Sequence, residues 1–251
     1  FRSARGAARS RVFADIAREA GELVAAGHRE IVLCGINIGR YQHEGRGLTD
    51  VVRALLPLPQ LLRLRISSLE PMAAPADLLA LMAAEPRLCR YLHLPLQSGC
   101  DATLQRMKRR YAVDDLRRFC DRAAAQVPDI CLGADVIVGF PGETEAEFDR
   151  TRRTLAALPL AYMHVFSYSP RPNAAAALGR DDDVPDAVKR QRHDRLQALS
   201  REKRRDFLQR QLGQRRQVLV ESRRHGRWQG LTDNYMRVAF PAEADDLHNR
   251  L

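Results

Sequence analysis

The 251-residue sequence predicts an α/β protein: a partial parallel β/α (TIM-like) barrel lacking its first strand, followed by a small, incomplete all-β domain. Three observations predict it. Helix-patterned and strand-patterned segments alternate five times. Each strand-patterned segment ends in polar or glycine-containing sequence. Beyond a long basic helix the texture changes to short, alternating, β-prone stretches.

The first helix pattern runs from Phe13 to Ala26, with Ile16, Ala20, Leu23 and Val24 at helical spacing and Gly27 as its stop, and leads into the strand "EIVLCGIN". Next, "LTDVVRALLPL" precedes "LLRLRISSLEP", and "APADLLALMAAEP" precedes "YLHLPLQSG". Then "DDLRRFCDRAAAQ" precedes "ICLGADVIVGFPG", and "EAEFDRTRRTLAAL" precedes "YMHVFSYSPRP". The strands end at Asn37, Glu70, Gln97 with Ser98, Gly139 to Glu143, and Ser167 to Arg171. In a parallel β/α barrel such ends gather on one face, where active sites form. The chain opens on an arginine-rich loop and a helix, so the strand expected before them is missing from the layout.

The fourth strand carries the most informative turn. Val136, Ile137 and Val138 form the β-branched run of a strand covered on both faces. Gly139 and Gly142 remove side chains where the backbone turns sharply, and Pro141 stiffens the turn between them. Thr144 suits a helix N-cap with Glu147 three residues on, and Glu143, Glu145 and Glu147 suit the positive end of the helix dipole. A tight strand-to-helix turn and a turn that admits a ligand both explain these residues.

Between Asp186 and Arg216 there are eleven Lys or Arg and four Asp or Glu, consistent with a solvated helix face or with an RNA contact. "QVLVESRRHGRWQGLTDNYMRVAF" then reads as short strands with turns at Gly226 and Asp233-Asn234. Trp228, Tyr235 and Phe240, interleaved with Arg223, Arg224, Arg227 and Arg237, suit stacking on unpaired bases or the core of the small domain. The expected boundaries are 1–185 for the barrel, 186–213 for the basic helix and 214–251 for the β-domain.

Composition narrows the function classes. A hydrophobic content of 45% supports one full core, and 41 Lys and Arg against 31 Asp and Glu give a net charge of +10. The resulting pI of about 9.9 favours a polyanionic partner such as nucleic acid. No run of about 18 apolar residues is present and the first residues lack the apolar centre of a signal peptide, so a cytoplasmic protein without a membrane partner is expected. Five widely spaced cysteines, Cys34, Cys89, Cys100, Cys120 and Cys131, form no C-x-x-C pair. Neither a disulfide framework nor a metal site is expected from them.

Together these segments resemble the radical S-adenosylmethionine (SAM) methylthiotransferases that modify tRNA. "ARGAARSR" (Ala4 to Arg11) resembles the segment following the family's cluster-binding cysteines. "GINIGRY", "SSLEP", "HLPLQSGCDATLQRMKRRY", "DVIVGFPGETEAEF" and "HVFSYSPRP" resemble successive barrel strand ends, and "VLVE…GLTDNYMRVAF" the start of the RNA-binding TRAM domain. "GINIGRY", "SSLEP" and "HVFSYSPRP" are closest to the branch that methylthiolates N6-threonylcarbamoyladenosine at tRNA position 37, beside the anticodon. The isopentenyladenosine branch and the ribosomal-protein branch are the other assignments within the family.

The resemblance implies SAM and 4Fe–4S clusters as cofactors. It also implies a C-x-x-x-C-x-x-C cluster motif just before Phe1, so the cluster ligands are absent from this sequence, which is expected to be a piece truncated at both ends and inactive alone. The implied reaction takes hydrogen from C2 of the modified adenosine and inserts a methylthio group; no catalytic residue is assigned. The family's adenine-binding pattern G-x-I-x-G-x-x-G-E is matched by Ile137, Gly139, Gly142 and Glu143, with Asp135 in place of its first glycine. By position, Gly35 to Asn37 would meet the methionine amino group, Glu70 the ribose or an ammonium, and Gln97 with Ser98 the ribose or carboxylate. The implied partner is a tRNA anticodon stem-loop, contacted by Arg223, Arg224, Arg227, Trp228, Tyr235 and Arg237; the electron donor and sulfur source are unidentified. Asn173 and Ala174 depart from the family's common "RPGTPAA". Two other readings are a catalytically dead RNA-binding protein and a radical SAM barrel acting on a protein side chain.

Overall fold

In a computed structural model that describes residues 9–170, 183–242 and 246–251, five parallel strands run in sequence order, two in one sheet and three in the next. They are β1 (Glu30–Leu33), β2 (Arg63–Ile66), β3 (Tyr91–Gln97), β4 (Cys131–Val138) and β5 (Tyr162–Ser167). β1 pairs with β2, and β3 with β4 and β4 with β5. Parallel bridges Leu64 to Leu88 and Ser68 to His93 join the two groups. Among the described residues the helices that precede the strands are α1 (Phe13–Ala25), α2 (Leu48–Leu55), α3 (Leu78–Ala84), α4 (Asp101–Arg106), α5 (Val113–Gln126) and α6 (Glu145–Ala157). Parallel neighbours need such crossovers, which is why helix and strand alternate in the sequence.

Period-two alternation divides the sheet into two faces. Leu64, Ile66, Leu92, Leu94, Leu132, Ala134, Val136, Met163 and Val165 join Val52, Leu55, Leu116, Phe119, Phe148 and Leu155 of the helices in one core. The other, inner face carries Arg63 and Arg65, Tyr91 and His93, Cys131 and Asp135, and Tyr162 and His164. That polar face is an incomplete barrel's lumen.

The long helix α7 (Asp186–Gln209) lies against β5 and α6. Its buried stripe is Lys189, Arg192, Leu196, Ser200 and Phe207, spaced by three, four, four and seven. The Ser200 hydroxyl accepts from Met163 N at 2.8 Å and donates to Met163 O at 2.9 Å, satisfying backbone groups of β5. Arg195 pairs with Glu145 and Asp149, and Lys203 donates to the carbonyls of Ala156 and Leu158. Much of the charge run is therefore turned inward to the barrel, while Arg190, Arg201, Arg205 and Arg210 stay exposed.

The antiparallel strands β6 (Val218–Arg224), β7 (Arg227–Thr232) and β8 (Arg237–Phe240) form a meander. It docks at the N-terminal ends of the barrel strands, opposite the polar strand ends. Arg63 donates to the carbonyls of Leu231 at 2.5 Å and Gln217 at 2.8 Å, Arg90 pairs with Asp233 at 2.5 Å, and Tyr91 stacks on Tyr235 with centroids 4.3 Å apart. Trp228 is 5% exposed, so its ring belongs to the β-domain interior rather than to a stacking platform. Tyr235 likewise faces the barrel floor. Arg223, Arg224, Arg227 and Arg237 are exposed. Asn173, Ala174 and the first residues of "ARGAARSR" lie outside the described residues. Among the described residues no helix is long and apolar enough to cross a membrane.

Candidate functional site

The strand C-terminal ends meet as the sequence pattern requires. After β1, Asn37 donates through Nδ2 to Glu70 Oε2 at 3.0 Å, tying the loop after β1 to the loop after β2. Gly39 permits that approach: a Cβ there would lie 2.3 Å from the Ala73 carbonyl oxygen. Asn37 Oδ1 is buried without a partner among the described residues, an acceptor that a ligand's N–H or O–H could satisfy. Gly35 is exposed beside it, and Gln97 sits at the end of β3 with φ +68°. Ser98 is different. Its hydroxyl is buried, 3.0 Å from the Thr151 hydroxyl, and accepts from Cys100 N at 3.2 Å, so it ties a loop to α6.

The turn after β4 is braced from behind. Gly139 and Gly142 have φ of +69° and +74°. A Cβ on Gly139 would lie 2.4 Å from Lys189 Cγ, so packing against α7 alone requires a glycine there. Glu143 Oε2 accepts from Gly139 N at 2.7 Å and from Arg192 Nη1 at 2.9 Å, and burial pushes this carboxyl above the usual range. Glu143 Oε2 thus stabilises the turn, while Oε1 is buried without a partner among the described residues. The Thr144 and Glu147 capping box forms as the sequence suggests. Glu147 also takes a two-pronged ion pair from Arg106, at 2.9 and 2.6 Å, which holds its carboxyl below the usual range. Ile137 remains half-buried on the inner face.

Sequence reasoning did not single out a polar group on that face. His93 Nε2 lies 2.9 Å from Asp135 Oδ1, and His164 Nδ1 lies 3.6 Å from the same oxygen. The available signal was a polar residue at the inward position of each of three apolar strands.

Asn37, Glu70, Gln97, Gly35 and Ile137 lie at the C-terminal ends of the strands, and the partnerless Asn37 oxygen is an acceptor that the amino or hydroxyl donors of a cofactor such as SAM could satisfy. A cluster fits differently. Cys89, Cys100, Cys120 and Cys131 are buried and Cys34 is exposed. Among the described residues the grouping able to hold a metal ion is His93, Asp135 and His164, with no cysteine trio.

Residues 1–155 match the Radical SAM superfamily. Over 231 residues the chain is 38% identical to the tRNA-2-methylthio-N(6)-dimethylallyladenosine synthase of Dehalococcoides mccartyi, covering 91% of this chain and 55% of that protein. A protein of the same name from Novosphingobium aromaticivorans is 40% identical over 96% of this chain and 56% of its own. The chain thus spans about half the length of the curated relatives it matches. Coproporphyrinogen III oxidase from Escherichia coli shares the fold with a TM-score of 0.53 at 17% identity, over 79% of this chain and 45% of that one. The radical SAM methyltransferase TsrM from Kitasatospora setae does so with 0.52 at 18%, over 62% and 31%.

These names correct the expected branch, because the relatives are dimethylallyladenosine enzymes and not threonylcarbamoyladenosine enzymes. The physical reason lies in where the motifs sit: "GINIGRY" and "SSLEP" are strand-end loops on the cofactor side and carry little information about the substituent of the base. The match over more than half of the chain places the sequence in the radical SAM superfamily, a family of enzymes that use SAM and 4Fe–4S clusters.

Proposed function

We propose that this chain is part of an enzyme that places a methylthio group on C2 of N6-dimethylallyladenosine in the anticodon loop of tRNA. The observation that carries the reading is identity of 37–40% over nearly the whole chain to relatives bearing that activity in their names. The polar strand ends supply the means. Asn37 and Glu70 offer acceptors to the amino and hydroxyl groups of SAM, Gln97 offers both a donor and an acceptor, and Ile137 offers an apolar wall to its adenine. Bound SAM supplies the family's radical and methyl chemistry. The residues of this chain bind, orient and exclude water. No step is assigned through a cluster, for which the described residues hold no cysteine trio.

The exposed arginines of the meander, Arg223, Arg224, Arg227 and Arg237, give a positive surface suited to RNA phosphates. The test is complementation of a bacterium lacking its own dimethylallyladenosine methylthiotransferase with the full-length gene, followed by nucleoside mass spectrometry of its tRNA. Appearance of 2-methylthio-N6-dimethylallyladenosine supports the reading. A methylthio group on threonylcarbamoyladenosine instead would contradict it.

A further inference from the structure

The polar group on the inner face lies below the strand-end mouth and is not used by the cofactor reading. Asp135 and His164 are register partners across β4 and β5. His93 anchors the pair from within: Nε2 faces Asp135 Oδ1 at 2.9 Å, and Nδ1 lies 3.3 Å from the Tyr162 hydroxyl, itself 2.9 Å from the Tyr91 hydroxyl. Gly133 lets this chain of groups close, because a Cβ there would sit 2.5 Å from Tyr162 Cζ and 2.8 Å from His93 Nδ1. Exposure is graded, with side chains 8% exposed at His93, 27% at Asp135 and 57% at His164. Asp135 and His164 are therefore the members of the group that a ligand in the lumen would meet.

Two residues further along the same strands, about 6.6 Å toward the mouth, the next register pair is Ile137 and Phe166. The Phe166 ring is 52% exposed. The Phe166 ring thus offers a base an aromatic surface above the polar pair, beside Ile137, whose apolar wall the cofactor reading gives to the SAM adenine. Single-stranded bases are held in this way, one face against an apolar or aromatic surface and one edge on hydrogen-bonding groups.

The rival is a metal site, since the three ligand atoms lie within 4.8 Å of one another. Zinc bonds of about 2.0–2.1 Å place tetrahedral ligand atoms about 3.3 Å apart. The 2.9 Å between His93 and Asp135 is shorter and is hydrogen-bond length.

The geometry points to Asp135 and His164 as the groups that read the N6/N7 edge of the target adenine; this rests on the tRNA reading above. Adenine presents a donor at N6 and an acceptor at N7. An N6-substituted adenine keeps one N6–H, which lies beside N7 when the substituent turns toward N1. Asp135 accepts that N6–H and the His164 ring donates to N7. His93 is a positioning residue that fixes the Asp135 carboxylate. C2 is on the opposite side of the purine from this edge, so a base held from below directs C2 toward the mouth where Asn37, Glu70 and Gln97 lie. Guanine, with acceptors at both O6 and N7, would set O6 against the carboxylate.

The test is equilibrium binding of fluorescent anticodon stem-loops to the protein. The probes carry N6-dimethylallyladenosine, its 7-deaza analogue, or guanosine at the target position. The 7-deaza analogue should bind wild type more weakly by on the order of tenfold. It should bind His164→Ala no differently from the parent base. Asp135→Asn, whose amide can donate to O6, should narrow the preference for adenine over guanine. Both variants must keep the wild-type melting temperature. Equal binding of the 7-deaza and parent loops by wild type, or an unchanged adenine preference in Asp135→Asn, would overturn the inference while leaving the tRNA reading intact. Stoichiometric zinc binding lost in His164→Ala would overturn it in favour of the metal site. Failure of every stem-loop to bind would overturn both.

Discussion

Arg192 of α7 reaches across to Glu143 at the end of the β4 turn, with Nη1 2.9 Å from Oε2 and both side chains buried. The pair fastens the long basic helix to the turn that the sequence singles out. Removing one partner of a buried pair leaves an uncompensated charge, at a cost of roughly 3–5 kcal/mol. Arg192→Ala should therefore unfold at markedly lower denaturant concentration at neutral pH. Burial raises the Glu143 carboxyl even with Arg192 beside it, and without that partner its charged form is disfavoured further. A raised folded pKa contributes stability below the unfolded value that is lost as pH rises through the folded one. The deficit of Arg192→Ala should therefore shrink as the pH is lowered toward the carboxylate range, and a deficit independent of pH would contradict this account.

Gly139→Ala should be costly for two separable reasons. The position has φ +69°, and the added Cβ would lie 2.4 Å from Lys189 Cγ. In the double variant Gly139→Ala with Lys189→Ala the clash is relieved while the backbone strain, about 1 kcal/mol or more, remains. Thermal melts of the three variants should show partial recovery in the double. Full recovery would mean that the conformation itself costs nothing.

Thiol labelling tests the burial pattern. Burial pushes the Cys89, Cys120 and Cys131 thiols up to about 12, whereas Cys34 is exposed. Because the thiolate is the nucleophile, iodoacetamide on the folded protein near neutral pH should modify Cys34 and leave these three intact, as peptide mass spectrometry would show. Rapid labelling of Cys131 would place the meander and α7 away from the barrel floor.

RNA binding separates the exposed arginines from the buried tryptophan. Changing Arg223, Arg224 and Arg227 to Ala should flatten the salt dependence of stem-loop affinity by up to about three contacts, at roughly 0.7 to 0.9 per contact. Trp228→Ala should instead destabilise the meander by about 3–5 kcal/mol, the cost of a large core truncation. A Trp228→Ala protein that melts normally but binds RNA weakly would restore the stacking role.

The fold was legible because its signals are local. Parallel strands read as apolar runs, the crossover helices carry apolar faces, and Thr144 with Glu147 three residues on is a cap whose partners are sequence neighbours. What escaped is non-local. The basic stretch from Asp186 suggests a solvated face because nothing in it reveals that Arg192 meets a carboxylate 49 residues away. His93, Asp135 and His164 come from three strands, and only the sheet register brings them together. Glu143 matched the cofactor pattern by position, and only the structure shows that one of its carboxylate oxygens is held by the Gly139 N–H and Arg192. The branch was misread because strand-end motifs report the shared cofactor side more than the base.

The central claim is the identity of the base that receives the methylthio group. Its most direct measurement is an anaerobic competition in which the full-length protein, with SAM, reductant and a sulfur source, meets equal amounts of two anticodon stem-loops. One carries N6-dimethylallyladenosine and the other N6-threonylcarbamoyladenosine, and mass spectrometry reads which gains a methylthio group. The account predicts that the dimethylallyl loop gains it and the threonylcarbamoyl loop does not; the reverse result, or modification of neither, would contradict it.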